Sequence, residues 1–331
     1  MFEGRRKIRA LSLLSGGLDS SLAIRVLQDQ GIDVAAVTFD SPFFSVDKAR
    51  AAAGQLAVDL HVIGFSRDIL SLLEHAPHGY GKCMNPCVDC HARMLRRSGD
   101  LMKELGIDFL STGEVLNQRP MSQSRRSLDI VALESGFGDL VVRPLSAQLL
   151  PATRAEREGW VDRDQLLAIQ GRGRRKQMEL AEEFGIRDYP SPAGGCRLTE
   201  PNFCRRLQDL QEHEGLLSER SLVLLRHGRH FRLGPRTKLI VGRNEADNAF
   251  LEGTAELYDI ILKTDGVRGP TAILPLGTSE DGIALGARIC AGYSDVVDAA
   301  PITVKVRSAR GIYRVKVTPA GRTVSDPLMI R

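Results

Sequence analysis

The sequence predicts an α/β protein, in which a parallel sheet covered by helices is followed by a smaller α+β domain. Three observations carry that prediction. Over the first 110 residues, short β-rich runs alternate with helical patterns, which implies right-handed crossovers between parallel strands. A Gly-rich loop stands at the first strand–helix junction, where such folds bind anions. Beyond residue 217, β-type runs dominate. A length of 331 residues suits two domains, placed at 1–216 and 217–331.

In chain order, Ile8 to Leu14 is a buried strand, and Leu22, Ala23, Val26 and Leu27 lie on one face of a following helix. Val34 to Phe39 is a second strand and Ala49 to Leu56 a helix. Leu60 to Ile63 is a third strand, with Ile69 to Glu74 helical after it. Met94, Leu95, Leu101, Met102 and Leu105 keep helical spacing before the strand Phe109 to Ser111. The stretch from Glu114 to Gln148 is polar and loop-rich, as expected beyond the carboxyl ends of parallel strands, where ligands bind. Helices are expected at Arg163 to Gln170 and Arg174 to Phe184. Pro190 to Gly195 breaks regular structure, and Phe203 to Gln211 is helical before a boundary near Glu212 to Ser218. β-type runs follow at Leu222 to Leu225, Leu239 to Val241, Ile260 to Lys263, Thr271 to Leu274, Ile302 to Val306 and Tyr313 to Val317.

Composition is that of a globular chain, 43% hydrophobic and 26% charged, which excludes disordered, collagen-like and coiled-coil classes. No run of about 18 apolar residues is present, so no membrane partner is expected. Arg5, Arg6 and Lys7 before the first strand lack the apolar length and cleavage site of a signal peptide, and a cytoplasmic protein is expected. Net charge is −1 over residues 1–216 and +5 over 217–331, a mildly basic C-terminal part that suits a polyanion. Six cysteines are too sparse for a disulfide scaffold, but Cys83, Cys87 and Cys90 crowd into eight residues. In a reducing compartment that points to metal or thiol chemistry.

Ser15-Gly16-Gly17-Leu18-Asp19-Ser20 is the most informative stretch. Its two glycines let the backbone turn tightly and bring N–H groups to an anion, at the positive end of the following helix. Ser15 and Ser20 add hydroxyl donors, and Asp19 can cap the helix or hold a metal-bound water. That many donors fit a phosphate chain. Neither a Walker A pattern nor a G-x-G-x-x-G fingerprint occurs, which removes the usual kinase, GTPase and dehydrogenase readings. The hexapeptide resembles the pyrophosphatase loop of the PP-loop ATP pyrophosphatases, of adenine nucleotide alpha hydrolase-like fold, over about residues 8–200. The resemblance implies ATP held by Ser15, Gly16, Gly17, Leu18, Asp19 and Ser20, with Phe39 and Gly113 beside them, Mg2+ on the phosphates, and adenylation of a substrate.

Cys87 and Cys90 have C-x-x-C spacing, and Cys196 follows a Pro- and Gly-rich segment that could return it to the same place. Zinc would need a fourth ligand from Cys83, His91 or Cys204. A 4Fe-4S cluster on three thiolates would leave one iron open. Cys83-x3-Cys87-x2-Cys90 also meets the radical-SAM spacing, in a setting foreign to that chemistry. Cys204 and Cys290 read as ordinary buried residues. Within the superfamily, Asn85-Pro86-x-x-x-Cys90, with Cys196, resembles bacterial tRNA 2-thiouridylases. Cys87, in place of their usual aspartate, makes the pattern similar to iron–sulfur-dependent thiolases. Thr112-Gly113-Glu114, Leu116-Asn117-Gln118 and Arg143-Pro144-Leu145 resemble nucleotide-site segments of 4-thiouridine synthases. The modified atom, at the 2- or 4-position, stays open.

These resemblances imply an ATP-dependent tRNA uridine sulfurtransferase with Cys90, Cys196 and Asp19 as catalytic residues. Cys87, Cys90 and Cys196 would ligate a 4Fe-4S cluster, with a cysteine persulfide or Zn2+ as alternatives. The sulfur donor would be sulfide or a persulfide-carrying protein, and the candidate assembly is a homodimer. Arg172, Arg174, Arg175 and Lys176 form a basic cluster suited to tRNA phosphates, with Arg96/Arg97 and Arg125/Arg126 as further pairs. Aromatic residues are only 5% of the chain, too few for base stacking over many nucleotides. Val241-Gly242-Arg243-Asn244 through Asn248, with Gly266-Val267-Arg268-Gly269-Pro270, resembles the RNA-binding domain of NFACT proteins, and Arg243 and Arg268 are its phosphate donors. With eight residues before the first strand, this C-terminal module would have to bind the tRNA. The rival readings are a PP-loop enzyme adenylating a small molecule and a non-catalytic RNA-binding protein.

Overall fold

The computed structural model describes residues 7–191, 196–216, 218–275, 277–296 and 300–331. Arg5 and Arg6, the Pro192–Gly195 part of the expected break, and Leu217 at the expected boundary lie outside them. The chain divides into two compact units, residues 1–199 and 200–331. The expected boundary at 216/217 falls inside the second unit.

In the first unit the elements are β1 (Arg9–Leu13), α1 (Leu18–Asp29), β2 (Asp33–Asp40), α2 (Asp47–Leu56), β3 (Leu60–Gly64) and α3 (Ser66–Glu74). Then come α4 (Cys87–Glu104), β4 (Phe109–Thr112), α5 (Arg125–Ser135), β5 (Val141–Val142), α6 (Arg154–Arg157) and α7 (Arg175–Glu183). The sheet order is β3-β2-β1-β4-β5, all parallel. Side-chain alternation sends Ala10, Phe109 and Val142 into one core with Leu22 and Leu27 of α1, Ala53 of α2 and Ala181 of α7. Leu11, Leu110 and Val141 enter a second core with Val88 and Leu95 of α4 and Val131 of α5. A parallel sheet buried on both faces is the expected solution for strands this apolar. The carboxyl ends of the strands are thereby left as the face where loops and polar side chains gather.

Two expectations within this unit change. The loop-rich reading of 114–148 misses α5, which buries Leu128 and Val131 and packs Ile130, half-buried, against the second core. It begins at Ser124, whose hydroxyl accepts from Ser127 N at 3.1 Å, and ends at Gly136 with φ +77°. The helix expected at Arg163 to Gln170 is only a 3-10 turn, Arg163–Gln165. Beyond it, Leu167 N and Ile169 N donate to Pro144 O and Leu145 O, so the segment is extended.

In the second unit, α8 (Pro201–His213) and α9 (Glu219–Leu224) precede β6 (Arg229–Gly234), β7 (Thr237–Val241), α10 (Glu245–Gly253) and β8 (Ile260–Asp265). β9 (Thr271–Leu274), α11 (Glu280–Gly292), β10 (Ile302–Ser308), β11 (Gly311–Val317) and α12 (Arg322–Ser325) complete it. The sheet is antiparallel, in the order β11-β10-β8-β9-β7-β6. Leu222 to Leu225, expected as β-type, is mostly helix α9 because Ser218 caps it, its hydroxyl accepting from Ser221 N at 3.2 Å. α11 packs Ala287, Ile289, Cys290 and Ala291 onto one sheet face. On the other face α9 and α10 bury Leu224 and Leu251 on Ile240, Ile261 and Ile273.

Candidate nucleotide and thiol site

The loop after β1 turns at Gly16, φ +75°, where a Cβ would collide with the backbone of Lys48 at the start of α2. Gly17 is the N-cap of α1, and no side chain caps the helix. The first-turn N–H groups are therefore left to an anion. Ser20 Oγ donates to Gly17 O at 2.8 Å and accepts from Ser15 N at 3.3 Å, so the hydroxyl shapes the loop as well as lining it. Leu18 is buried under the loop, and Phe39 is buried edge-on against Phe65, with ring centroids 5.2 Å apart. Phe39 thus forms a wall and offers no open ring face. Lys48, exposed beside Gly16, is a cation that no sequence pattern marked.

Asp19 Oδ2 accepts from Gln118 Nε2 at 2.7 Å, and Gln118 Oε1 accepts from Gln177 Nε2 of α7 at 3.1 Å. Asp19 Oδ1 is buried with no hydrogen-bond partner. An orphaned carboxylate oxygen beside an anion-binding helix end fits a Mg2+ ion, which takes few protein carboxylates and the substrate's phosphates. Gly113 lies behind the loop: a Cβ there would stand 2.5 Å from Ser20 Cα. Gly113→Ala is therefore expected to displace the first turn of α1. A rise of at least tenfold in the Kd for ATP, with little change in RNA affinity, would be read by equilibrium binding.

The cysteine segment sits at the same edge of the sheet. α4 is the crossover into β4, so its first turn, with Cys87 and Cys90, lies at the carboxyl ends of the strands. Asn85 is buried, donates to Cys87 Sγ at 3.1 Å and accepts from Cys83 N at 3.2 Å. Cys196 joins from the far end of the unit, where Arg197 N donates to Phe43 O, just past β2. Withdrawal from water pushes the Cys90 thiol well up, and the Cys196 and Cys87 thiols and the Asp89 and Asp68 carboxylates push it further. Cys196 and Cys87 are thus each in electrostatic reach of Cys90. Among the described residues no three His, Cys, Asp or Glu side chains stand close enough to hold a metal as they are. The donor chemistry suits an iron–sulfur unit; the arrangement is not closed around one.

A buried ion-pair cluster joins the two halves. Glu114 Oε1 pairs with His91 Nδ1 at 3.0 Å, one residue from Cys90, and Glu114 Oε2 accepts from Arg143 Nε at 2.9 Å and Thr112 Oγ1 at 3.1 Å. Burial alone would raise the Glu114 carboxyl, but Arg143 and His91 hold it at about 2. Arg143 Nη2 is buried without a hydrogen-bond partner, at the wall of a cavity of about 510 Å³. His91, open as a zinc ligand on sequence grounds, has its Nδ1 committed here.

The basic cluster opens α7, which has no acid in its first turn. Arg172, Arg175 and Lys176 are exposed, with Arg175 3.3 Å from Glu179, and Arg174 is half-buried with Nε lacking a hydrogen-bond partner. In the second unit, Arg243 lies 2.6 Å from Asp247 and also donates to Arg226 O. Asn244 caps α10, Asn248 Oδ1 accepts from Thr271 N at 2.9 Å, and Gly242 leaves room for Asn248. The G-R-N-x-x-x-N element is therefore a structural latch, with Arg243 engaged inside it. Arg268 is exposed. Cys204 and Cys290 are buried, Cys290 pushed up to about 12 by burial.

Residues 6–148 match the family model of the thiamine biosynthesis protein ThiI, and residues 228–325 that of the NFACT protein RNA binding domain. The tRNA-specific 2-thiouridylase MnmA of Marinobacter nauticus is 25% identical over 238 residues, 62% of this chain and 60% of that enzyme. The N-terminal unit is similar to the PP-loop tRNA-thiolation enzymes. The MnmA of Clostridium acetobutylicum is 31% identical over 121 residues, 30% of this chain and 34% of that enzyme. The chain thus spans between about a third and three fifths of these curated relatives. A 4-thiouridine synthetase solved as an RNA complex with bound ATP shares 25% identity with this chain, over 55% of this chain and 43% of its own, with a TM-score of 0.38. Among the described residues no helix is long and apolar enough to cross a membrane.

Proposed function

We propose that the protein is an ATP-dependent tRNA uridine sulfurtransferase. The observation that carries this reading is Gly113-Glu114, which sets the phosphate loop against the cysteine helix. Gly113 lies on Ser20, and Glu114 holds His91 beside Cys90. ATP phosphates lie on the N–H groups of Gly17 and the first turn of α1, and Asp19 Oδ1 holds a Mg2+ ion that offsets their charge. The uridine oxygen attacks the α-phosphorus, the bond to the β-phosphate breaks and pyrophosphate leaves. A sulfur nucleophile then adds to the activated carbon, and AMP departs with the original oxygen.

Cys87, Cys90 and Cys196 are the sulfur-handling residues. A 4Fe-4S cluster on these thiolates supplies an iron site for sulfide. In the persulfide form, Cys90 or Cys196 gives up its outer sulfur and the other thiol closes a disulfide, which a reductant reopens. The basic start of α7 and the NFACT-type unit bind tRNA, the uridine's carrier.

The test is anaerobic reconstitution with iron and sulfide, followed by incubation with unmodified tRNA and ATP. Mass spectrometry of the nucleosides is expected to find one thiouridine, formed with AMP in equal amount. Roughly four irons per chain are expected, and Cys87→Ala or Cys196→Ala should remove both iron and thiouridine. Stoichiometric zinc, or full activity in those variants, rejects the cluster; AMP formation independent of tRNA rejects the sulfurtransferase.

A further inference from the structure

The sheet of the second unit has one face that is in part exposed. α9 and α10 sit over Ile240, Ile273 and Ile261, on β7, β9 and the first half of β8. Past them, among the described residues, Lys263, Lys305, Arg307, Arg314 and Lys316 of β8, β10 and β11 are exposed. Their common face follows from register. Val304 and Val306 point into the α11 core, so Thr303, Lys305 and Arg307 point the opposite way. Lys305 pairs across the strands with Lys263 on one side and Arg314 on the other. Arg307 stands between Ile261 and Ile312, and Thr303 between Asp265 and Lys316.

Three cations therefore share one cross-strand row, a juxtaposition that disfavours the sheet itself. Only the outer two are paired, Lys263 with Glu252 at 2.7 Å and Arg314 with Asp265 at 2.6 Å. Lys305, Arg307, Lys316 and Arg310 of the turn are exposed and make no ion pair among the described residues. At the end of the sheet where β8 starts and β10 finishes, Ile312 (59%) is exposed on this face opposite Arg307, and Leu257 and Tyr258 (60%) are exposed in the turn before β8, whereas Tyr313, opposite Val306, lies on the α11 side. Elsewhere in this unit Arg243 is paired with Asp247 and Arg232 with Asp209.

We infer that this exposed face, centred on Lys305, Arg307 and Lys316, is where the second unit lays an RNA backbone, with an exposed tyrosine at one end as a base-stacking platform. Lys305 and Arg307, unpaired and two residues apart along β10, with Lys316 on β11, can meet successive phosphates. The aromatic rim favours nucleic acid over an acidic protein surface or a lipid headgroup layer. It relocates the RNA contact from Arg243, whose guanidinium is consumed by Asp247. The inference rests on the reading that this unit binds RNA, and not on the sulfur chemistry.

The experiment compares the full chain with the triple variant K305Q/R307Q/K316Q, and with Arg243→Gln. Fluorescence anisotropy with an unmodified tRNA transcript is read between about 50 and 200 mM salt. The triple variant is expected to bind at least tenfold more weakly, with the slope of log K against log salt reduced by about 3. Arg243→Gln should leave that slope unchanged. With saturating tRNA, thiouridine formation should keep its kcat in the triple variant and show a raised KM. A reduced slope in a protein that forms no thiouridine would uphold the surface and reject the sulfurtransferase. An unchanged slope, or loss of binding to phosphatidylserine vesicles with tRNA binding intact, would overturn the surface.

Discussion

Asp19→Ala is expected to lower tRNA-dependent pyrophosphate release by about 10²–10³-fold while leaving the fold in place. The carboxylate makes one good contact, from Gln118, and its other oxygen is buried without a partner. Removing a half-satisfied carboxylate from such a place costs the native state little, because the group already bears a desolvation penalty with no compensating bond. The cation that Asp19 would hold on the phosphates has no substitute among its neighbours, since Gln118 and Gln177 are neutral amides. Asp19→Asn keeps the Gln118 contact and loses the charge, so it should match the alanine variant in rate and the parent in melting temperature. Pyrophosphate release at the parent rate in either variant would remove the phosphate loop from the mechanism.

Glu114→Ala is expected to destabilise the N-terminal unit by about 3–5 kcal/mol, read by urea unfolding at neutral pH. It strands the buried Arg143 guanidinium and frees His91, and breaking a buried pair from one side leaves an uncompensated charge. The pH dependence has a definite sign. The folded carboxyl sits at about 2 against 4.5 for an ordinary glutamate. Its stabilising contribution is therefore complete above about pH 4.5 and lost as pH falls towards 2. The gap between parent and variant should close over that window. Pairing Glu114→Ala with Arg143→Ala should cost clearly less than the two changes summed, because the second removes the charge that the first strands.

The parts of the molecule legible in the sequence are those whose signal is local. β1, the Ser15–Ser20 loop and α1 adjoin one another, so strand, turn chemistry and amphipathic helix reinforce a single reading. Cys87 and Cys90 are marked by spacing alone, and the same spacing puts both on the first turn of α4. α5 is hidden because its two arginines and two serines outnumber the three side chains, Leu128, Ile130 and Val131, that meet the core. The run Leu222 to Leu225 is too short for periodicity to separate strand from helix, and the Ser218 cap decides it. Contacts that span the fold leave no such mark. Gln118 and Asp19 are 99 residues apart, and Arg143 and Glu114 are 29 apart.

Gly113 and Glu114 are consecutive, so in the sulfurtransferase proposed above a single peptide unit would be shared by the seat of the triphosphate and the mount of the sulfur chemistry. Neither can be re-aimed without tilting the other. Evolution of a new acceptor base in this lineage would then have to work from the rim, through loops and the appended module, with the hub between the two chemistries held rigid.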